Sequence, residues 1–95
     1  MTGSGISSQG LDARRRRLLF RAWHRGIREM DLVLGRFADA QVATLNEAEL
    51  DEVEGWLDIP DQKIFAWVSG QEAAPVDVDT PLFRRLQEFR GEGAG

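Results

Sequence analysis

The sequence predicts an all-α protein, a small compact bundle of five or six short helices. Apolar residues recur at helical spacings of three, four and seven positions along most of the 95-residue chain. Strand-like alternation is confined to residues 76–78, a stretch too short to form a sheet. We expect one helical domain over residues 11–90, preceded by a disordered, glycine- and serine-containing leader at 1–10 and followed by a disordered tail at 91–95.

The first part of the domain predicts three helices. Helical periodicity covers residues 11–24, and Gly26 then interrupts it. A second helix is expected from Ile27 onward. Gly35 weakens a helix by about 1 kcal/mol relative to alanine and is a candidate end for this one. A short helix over residues 36–43 would follow.

The second part predicts three more helices, each with a recognisable boundary. Asn46, with a glutamate three positions later, resembles a capping box. Pro60 suits the first turn of the next helix, which Gly70 is expected to end in a left-handed conformation. After an acidic connection, Thr80 is a typical N-cap and Pro81 a typical first residue for the last helix.

Charge is distributed unevenly along the chain, whose formal net charge is −4. Residues 1–36 carry a net charge of +5, residues 37–79 carry −10, and residues 80–95 carry +1. Blocks of opposite sign indicate either faces that meet different partners or two halves that attract each other in the folded protein.

The composition favours a binding protein over an enzyme. The chain has no cysteine, which excludes disulfides, thiolate metal sites and cysteine nucleophiles. Its single histidine, His24, leaves little scope for a histidine metal site or a catalytic triad. We therefore expect no catalytic residue and no metal site. Every apolar run is far shorter than the ~20 residues of a membrane span.

Seven arginines lie in or just after the first predicted helix, at Arg14–Arg17, Arg21, Arg25 and Arg28. Most of them are three or four residues apart, which predicts one basic stripe. We expect Phe20 and Trp23 nearer the apolar side, away from it. The stripe could pair with the acidic half of the chain, contact a protein partner, or bind phosphates. The last possibility gives an alternative function, a small basic-arm nucleic-acid-binding protein that uses Arg14–Arg17.

The segment from Arg25 to Glu29, with Gly26 between them, has two interpretations. In the first, Gly26 ends one helix and caps the next, and Glu29 bonds back to the cap as in a capping box. In the second, the glycine leaves a bare spot between a cation and an anion. Another protein's backbone could then approach closely, with the two charges setting its position.

The run over residues 14–39 resembles the SdhE family of succinate dehydrogenase FAD assembly factors. The hallmark of that family is R-G-x-x-E, present here as Arg25, Gly26 and Glu29. The resemblance continues at residues 57–61 and 64–70, and it covers roughly residues 13–70. The last helix matches the family only in kind.

This resemblance implies a small helical chaperone-like protein. Family members bind the flavoprotein subunit of succinate dehydrogenase, and in some bacteria that of fumarate reductase, and promote covalent attachment of FAD to a histidine of that client. The resemblance implies that Arg25, Gly26 and Glu29 meet the client, with Arg28 and Asp31 nearby.

We also expect a chain that is not an enzyme and binds no cofactor of its own, because FAD is attached to the client. The expected partner is the flavoprotein subunit, with no nucleic acid and no membrane. We expect a monomer in the bacterial cytoplasm.

Overall fold

Five α-helices and one 3₁₀ turn make up the computed structural model, which describes residues 10–94. Within that range no residue is in a strand, and the predicted all-α class is confirmed. The helices are α1 (Ala13–Trp23), α2 (Arg28–Gln41), α3 (Glu47–Leu57), α4 (Asp61–Ser69) and α5 (Pro81–Ala94), with the 3₁₀ turn at Val42–Thr44.

The helix bounds bear differently on the two segments that the sequence predicts to be disordered, the leader and the tail. Apart from Gly10, the leader predicted at 1–10 lies outside the described residues. The tail predicted at 91–95 overlaps α5, because that helix continues to Ala94. The helical part of the chain therefore extends beyond the boundary expected at residue 90.

Helix α2 differs most from the sequence prediction, because it runs through Gly35 instead of ending there. The reason is a tertiary contact with Trp23 of α1. A Cβ atom added at Gly35 would lie 2.6 Å from the Cε2 and Cε3 atoms of the Trp23 ring. The Trp23 ring packs against the core, and its buried indole N–H has no acceptor among the described residues. Gly35 therefore serves the close packing of α1 on α2.

The predicted helix boundaries in the second part of the chain are largely confirmed. Asn46 and Glu49 form a reciprocal capping box, with hydrogen bonds of 2.8 and 2.9 Å. Gly70 ends α4 with a φ of +86°. The Thr80 hydroxyl accepts the N–H of the third residue of α5 at 3.1 Å. Pro60 is the N-cap of α4, one position before the first turn that the sequence predicts.

All five helices contribute to one hydrophobic core. Trp56 lies at its centre, with ring-centroid distances of 5.8 Å to Phe37 and 5.5 Å to Phe83. Helix α1 packs most extensively on α2, and α5 closes the bundle against α2 and α4. Over residues 10–94, no helix is both long enough and apolar enough to cross a bilayer.

Candidate partner-binding site

Arg25 lies in the linker between α1 and α2, and its side chain is turned into the protein. The side chain is only 9% exposed, and its Nε donates to a carboxylate oxygen of Asp61 at 2.7 Å. The guanidinium also donates to the carbonyl oxygens of Leu57 and Ile59, the latter at 2.5 Å. Arg25 therefore joins the α1–α2 linker to the α3–α4 linker through a buried charge that donates to one carboxylate and two carbonyl oxygens.

Asp31, on the first turns of α2, fixes the same linker from the other side. Its carboxylate accepts the backbone N–H of Arg25 at 2.5 Å, and the residue is half-buried. The guanidinium of Arg25 and the carboxylate of Asp31 thus both bond within the chain. What they hold in place is the backbone between them.

Gly26 has a φ of +118°, a conformation that residues with a side chain rarely adopt. Space is not the constraint, since an added Cβ would lie 3.6 Å from the nearest atom, an oxygen of Asp61. The backbone explanation for this glycine is therefore supported by the structure. The residue is also exposed, so the surface there is bare of side chains.

Arg28 and Glu29 occupy the first turn of α2 and are exposed. The N-cap of this helix is Ile27, which makes no side-chain cap bond, and Glu29 is the second helical residue. The interpretation in which Glu29 closes a capping box is therefore wrong. The side chains of Arg28 and Glu29 form no hydrogen bond or ion pair with residues 10–90. The Glu29 carboxylate still suits the positive end of the helix dipole.

An open apolar groove of about 180 Å³ begins beside Glu29 and lies between α2, α4 and α5. Its other lining residues are Leu32, Val33, Arg36, Phe65, Phe89 and Arg90. The guanidinium carbon of Arg90 lies 5.6 Å from the centroid of the Phe65 ring, within cation–π range. Sequence reasoning missed this groove, because three helices distant in sequence must pack before it exists.

Part of the basic stripe, Arg14, Arg21 and Arg25, is paired with the acidic half of the chain, which is one of the possibilities left open by the sequence. Arg14 bonds three carboxylates of α3: Glu47 at 2.7 Å, Glu54 at 2.8 Å, and Asp51. The hydrogen bond from Arg14 lowers the pKa of Glu54 below its ordinary value. Arg21 similarly pairs with Asp58 at 2.9 Å.

Arg15 is also engaged, donating to the carbonyl oxygens of Val42 at 2.9 Å and Leu45 at 2.5 Å. The expected position of Phe20 is wrong, since its side chain is 63% exposed and not on the apolar side. Trp23, in contrast, packs against the core as expected. Three of the four arginines assigned to the nucleic-acid alternative, Arg14, Arg15 and Arg16, thus bond within the chain.

The buried Arg25 side chain, the exposed Gly26 backbone and the exposed Glu29 side chain beside a groove form the candidate contact surface of a small helical protein. In the described range, no three histidine, aspartate or glutamate side chains come together as metal ligands would.

The chain matches the model of the Sdh5 family, flavinator of succinate dehydrogenase, over residues 16–90, and it belongs to that family. It is 40% identical over 87 residues to the FAD assembly factor SdhE of Acetobacter pasteurianus, covering 92% of this chain and 80% of that protein. The resemblance found from the R-G-x-x-E motif is therefore confirmed.

Mitochondrial proteins are also similar. Succinate dehydrogenase assembly factor 2 of Scheffersomyces stipitis is 37% identical over 82 residues, covering 82% of this chain and 55% of that protein. The protein of the same name from Saccharomyces cerevisiae is 33% identical over 87 residues, covering 87% of this chain and 54% of that protein. The chain thus spans about half the length of these two relatives. No solved structure matches it significantly.

Proposed function

We propose that this chain binds the flavoprotein subunit of succinate dehydrogenase and promotes covalent attachment of FAD to that subunit. Membership of the flavinator family and similarity to a bacterial FAD assembly factor support this function. The flavoprotein subunit of fumarate reductase is a second client to test.

The observation that carries the proposal is that some charged residues in and beside the R-G-x-x-E motif bond within the chain, whereas others are exposed. Arg25 and Asp31 bond within the chain and hold the α1–α2 linker in place. The side chains of Glu29 and Arg28 are exposed and make no hydrogen bond or ion pair with residues 10–90. The Glu29 carboxylate bonds to no other side chain, lies on a helix whose preceding linker is held in place, and borders an apolar groove. It is therefore well suited to contact a partner.

The proposed mechanism is binding rather than chemistry by this chain. Contact through Gly26, Arg28 and Glu29 would favour a client conformation in which its histidine and the flavin ring are held at reaction distance. The rigid linker matters because a preorganised surface loses less entropy on binding. In this proposal, FAD stays with the client, and this chain supplies no catalytic group.

We further propose that the protein acts as a monomer in the bacterial cytoplasm. Its similarity to a protein of the bacterium Acetobacter pasteurianus supports the bacterial part of this proposal. The client is the proposed partner, with no role for nucleic acid or a membrane.

Flavin fluorescence in denaturing gels tests this function directly. The client subunit is incubated with FAD, with and without the purified chain, and the covalently bound flavin is measured over time. We expect the chain to accelerate flavin attachment and to co-purify with the client. Equal attachment with and without the chain would contradict the proposal. Steeply salt-dependent retention on RNA, without client binding, would favour the basic-arm alternative.

A further inference from the structure

Phe20 is a large aromatic side chain that the core does not use. It lies on α1 and is 63% exposed. Its ring stacks on His24, with a centroid distance of 4.0 Å and an interplanar angle of 19°. The His24 ring nitrogen Nδ1 lies 2.7 Å from the Phe20 carbonyl oxygen, which ties the two residues together. The pair is thus an ordered apolar surface one turn before the motif.

The surroundings of Phe20 are positively charged. A shallow depression beside it is lined by Ala13, Arg16, Arg17 and Arg21, and no carboxylate lines it. Arg21 pairs with Asp58, and Arg16 donates to the carbonyl oxygen of Leu11. The side chain of Arg17 is exposed and makes no hydrogen bond or ion pair with the described residues, although its positive charge, with those of Arg14 and Arg21, helps to lower the pKa of Glu54. We call Ala13, Arg16, Arg17, Phe20, Arg21 and His24 the Phe20 face.

We infer that the Phe20 face is a second docking surface, which takes an acidic segment of the flavoprotein client that also carries an apolar side chain. The inference rests on the proposed function. The apolar side chain would pack on the Phe20–His24 stack, while acidic groups would meet Arg17. The face is continuous with the proposed contact surface, because His24 directly precedes Arg25 and Ile27 is 36% exposed.

The charges favour an acidic protein segment over nucleic acid. Glu47 and Asp51, whose side chains are 80% and 73% exposed, lie against Arg14 on the neighbouring helix. A long polyanion following α1 would be repelled there, whereas a short acidic segment could stay on the Phe20 face. Phe20 is also the one large exposed aromatic among the described residues, so at most one base could stack.

Binding of the client to two surface variants tests the inference. Phe20→Ala and Arg17→Glu both change exposed side chains, so their melting temperatures should stay near that of the wild type. Val76→Ala is the matched control, since Val76 is a 91% exposed apolar residue in the α4–α5 connection. We expect each test variant to bind the client subunit at least about tenfold more weakly, and the control within about twofold. Arg17→Glu should also reduce the salt dependence of the affinity.

The outcomes separate this inference from the proposed function. If the wild type binds the client and both test variants bind equally well, the Phe20 face is not a docking surface. If the wild type itself does not bind the client, the proposed function fails. A short single-stranded oligouridylate serves as a competing ligand. If it binds the wild type more tightly than the client does, and loses that affinity in Phe20→Ala, the acidic-segment assignment is overturned.

Discussion

Replacing Gly35 by alanine should destabilise the fold, although alanine is the better helix former. In a helix interior the substitution favours folding by about 1 kcal/mol. Here the new Cβ would lie 2.6 Å from two atoms of the Trp23 ring, which is packed against the core. Overpacking typically costs about 1–3 kcal/mol, and so short a contact with a packed ring lies in the upper part of that range, so the cost exceeds the helical gain. We expect a lower free energy of unfolding by about 1–2 kcal/mol, seen as a melting temperature lower by roughly 5 °C or more.

Gly55 in α3 provides a matched control for this prediction. It also lies within a helix, but an added Cβ there has no neighbour within 4 Å. Gly55→Ala should therefore raise the melting temperature, with a gain of up to about 1 kcal/mol. Thermal and urea unfolding followed by circular dichroism would measure both variants. If Gly35→Ala stabilises the protein as Gly55→Ala does, the close contact with Trp23 does not constrain this position.

Three further predictions separate structural from interface roles in the motif and test the ion pairs around it. Gly26→Ala and Gly26→Arg should both lower the free energy of unfolding by about 1–3 kcal/mol, because both force a side chain into a positive φ; unchanged melting curves would contradict the backbone explanation. Arg25→Met should cost about 3–5 kcal/mol by leaving the Asp61 carboxylate unpaired, and Arg25→Met combined with Asp61→Asn should recover part of that loss in the same unfolding assay. The pKa of Glu54 is lowered, so its pairing with Arg14 stabilises the fold fully above pH 4.5, the ordinary pKa of a glutamate, and progressively less below it. Glu54→Gln should therefore flatten the dependence of stability on pH in that acidic range. An unchanged pH dependence would show that this pair does not contribute.

Local signals along the chain were sufficient to predict much of the fold. Asn46, Gly70 and Thr80 act through hydrogen bonds or backbone conformations within a few residues, so their roles can be inferred from neighbouring positions. Gly35 could not be interpreted in this way. Its role depends on Trp23, which comes from a different helix, and the sequence shows only a residue that weakens helices.

The candidate site was located from the motif, but the roles of its residues required the fold. Arg25 and Glu29 are equivalent as charged surface residues in the sequence, yet one is buried against Asp61 and the other is exposed. That difference depends on where the α3–α4 linker lies. The exposure of Phe20 similarly could not be inferred from the sequence of α1, since the apolar periodicity of that helix does not determine which of its sides the other helices cover.

The central claim is that the Glu29 carboxylate meets the client while Arg25 holds the linker. The most direct measurement is the rate of client flavin attachment with Glu29→Gln, compared with Glu88→Gln, a change at an exposed glutamate of α5. Both variants should keep a melting temperature close to that of the wild type, because the Glu29 side chain makes no hydrogen bond or ion pair with residues 10–90 and its interaction with the helix dipole contributes only about 0.3–1 kcal/mol. We predict that Glu29→Gln slows attachment at least about tenfold and that Glu88→Gln leaves it unchanged. Wild-type attachment by a folded Glu29→Gln variant would contradict the claim.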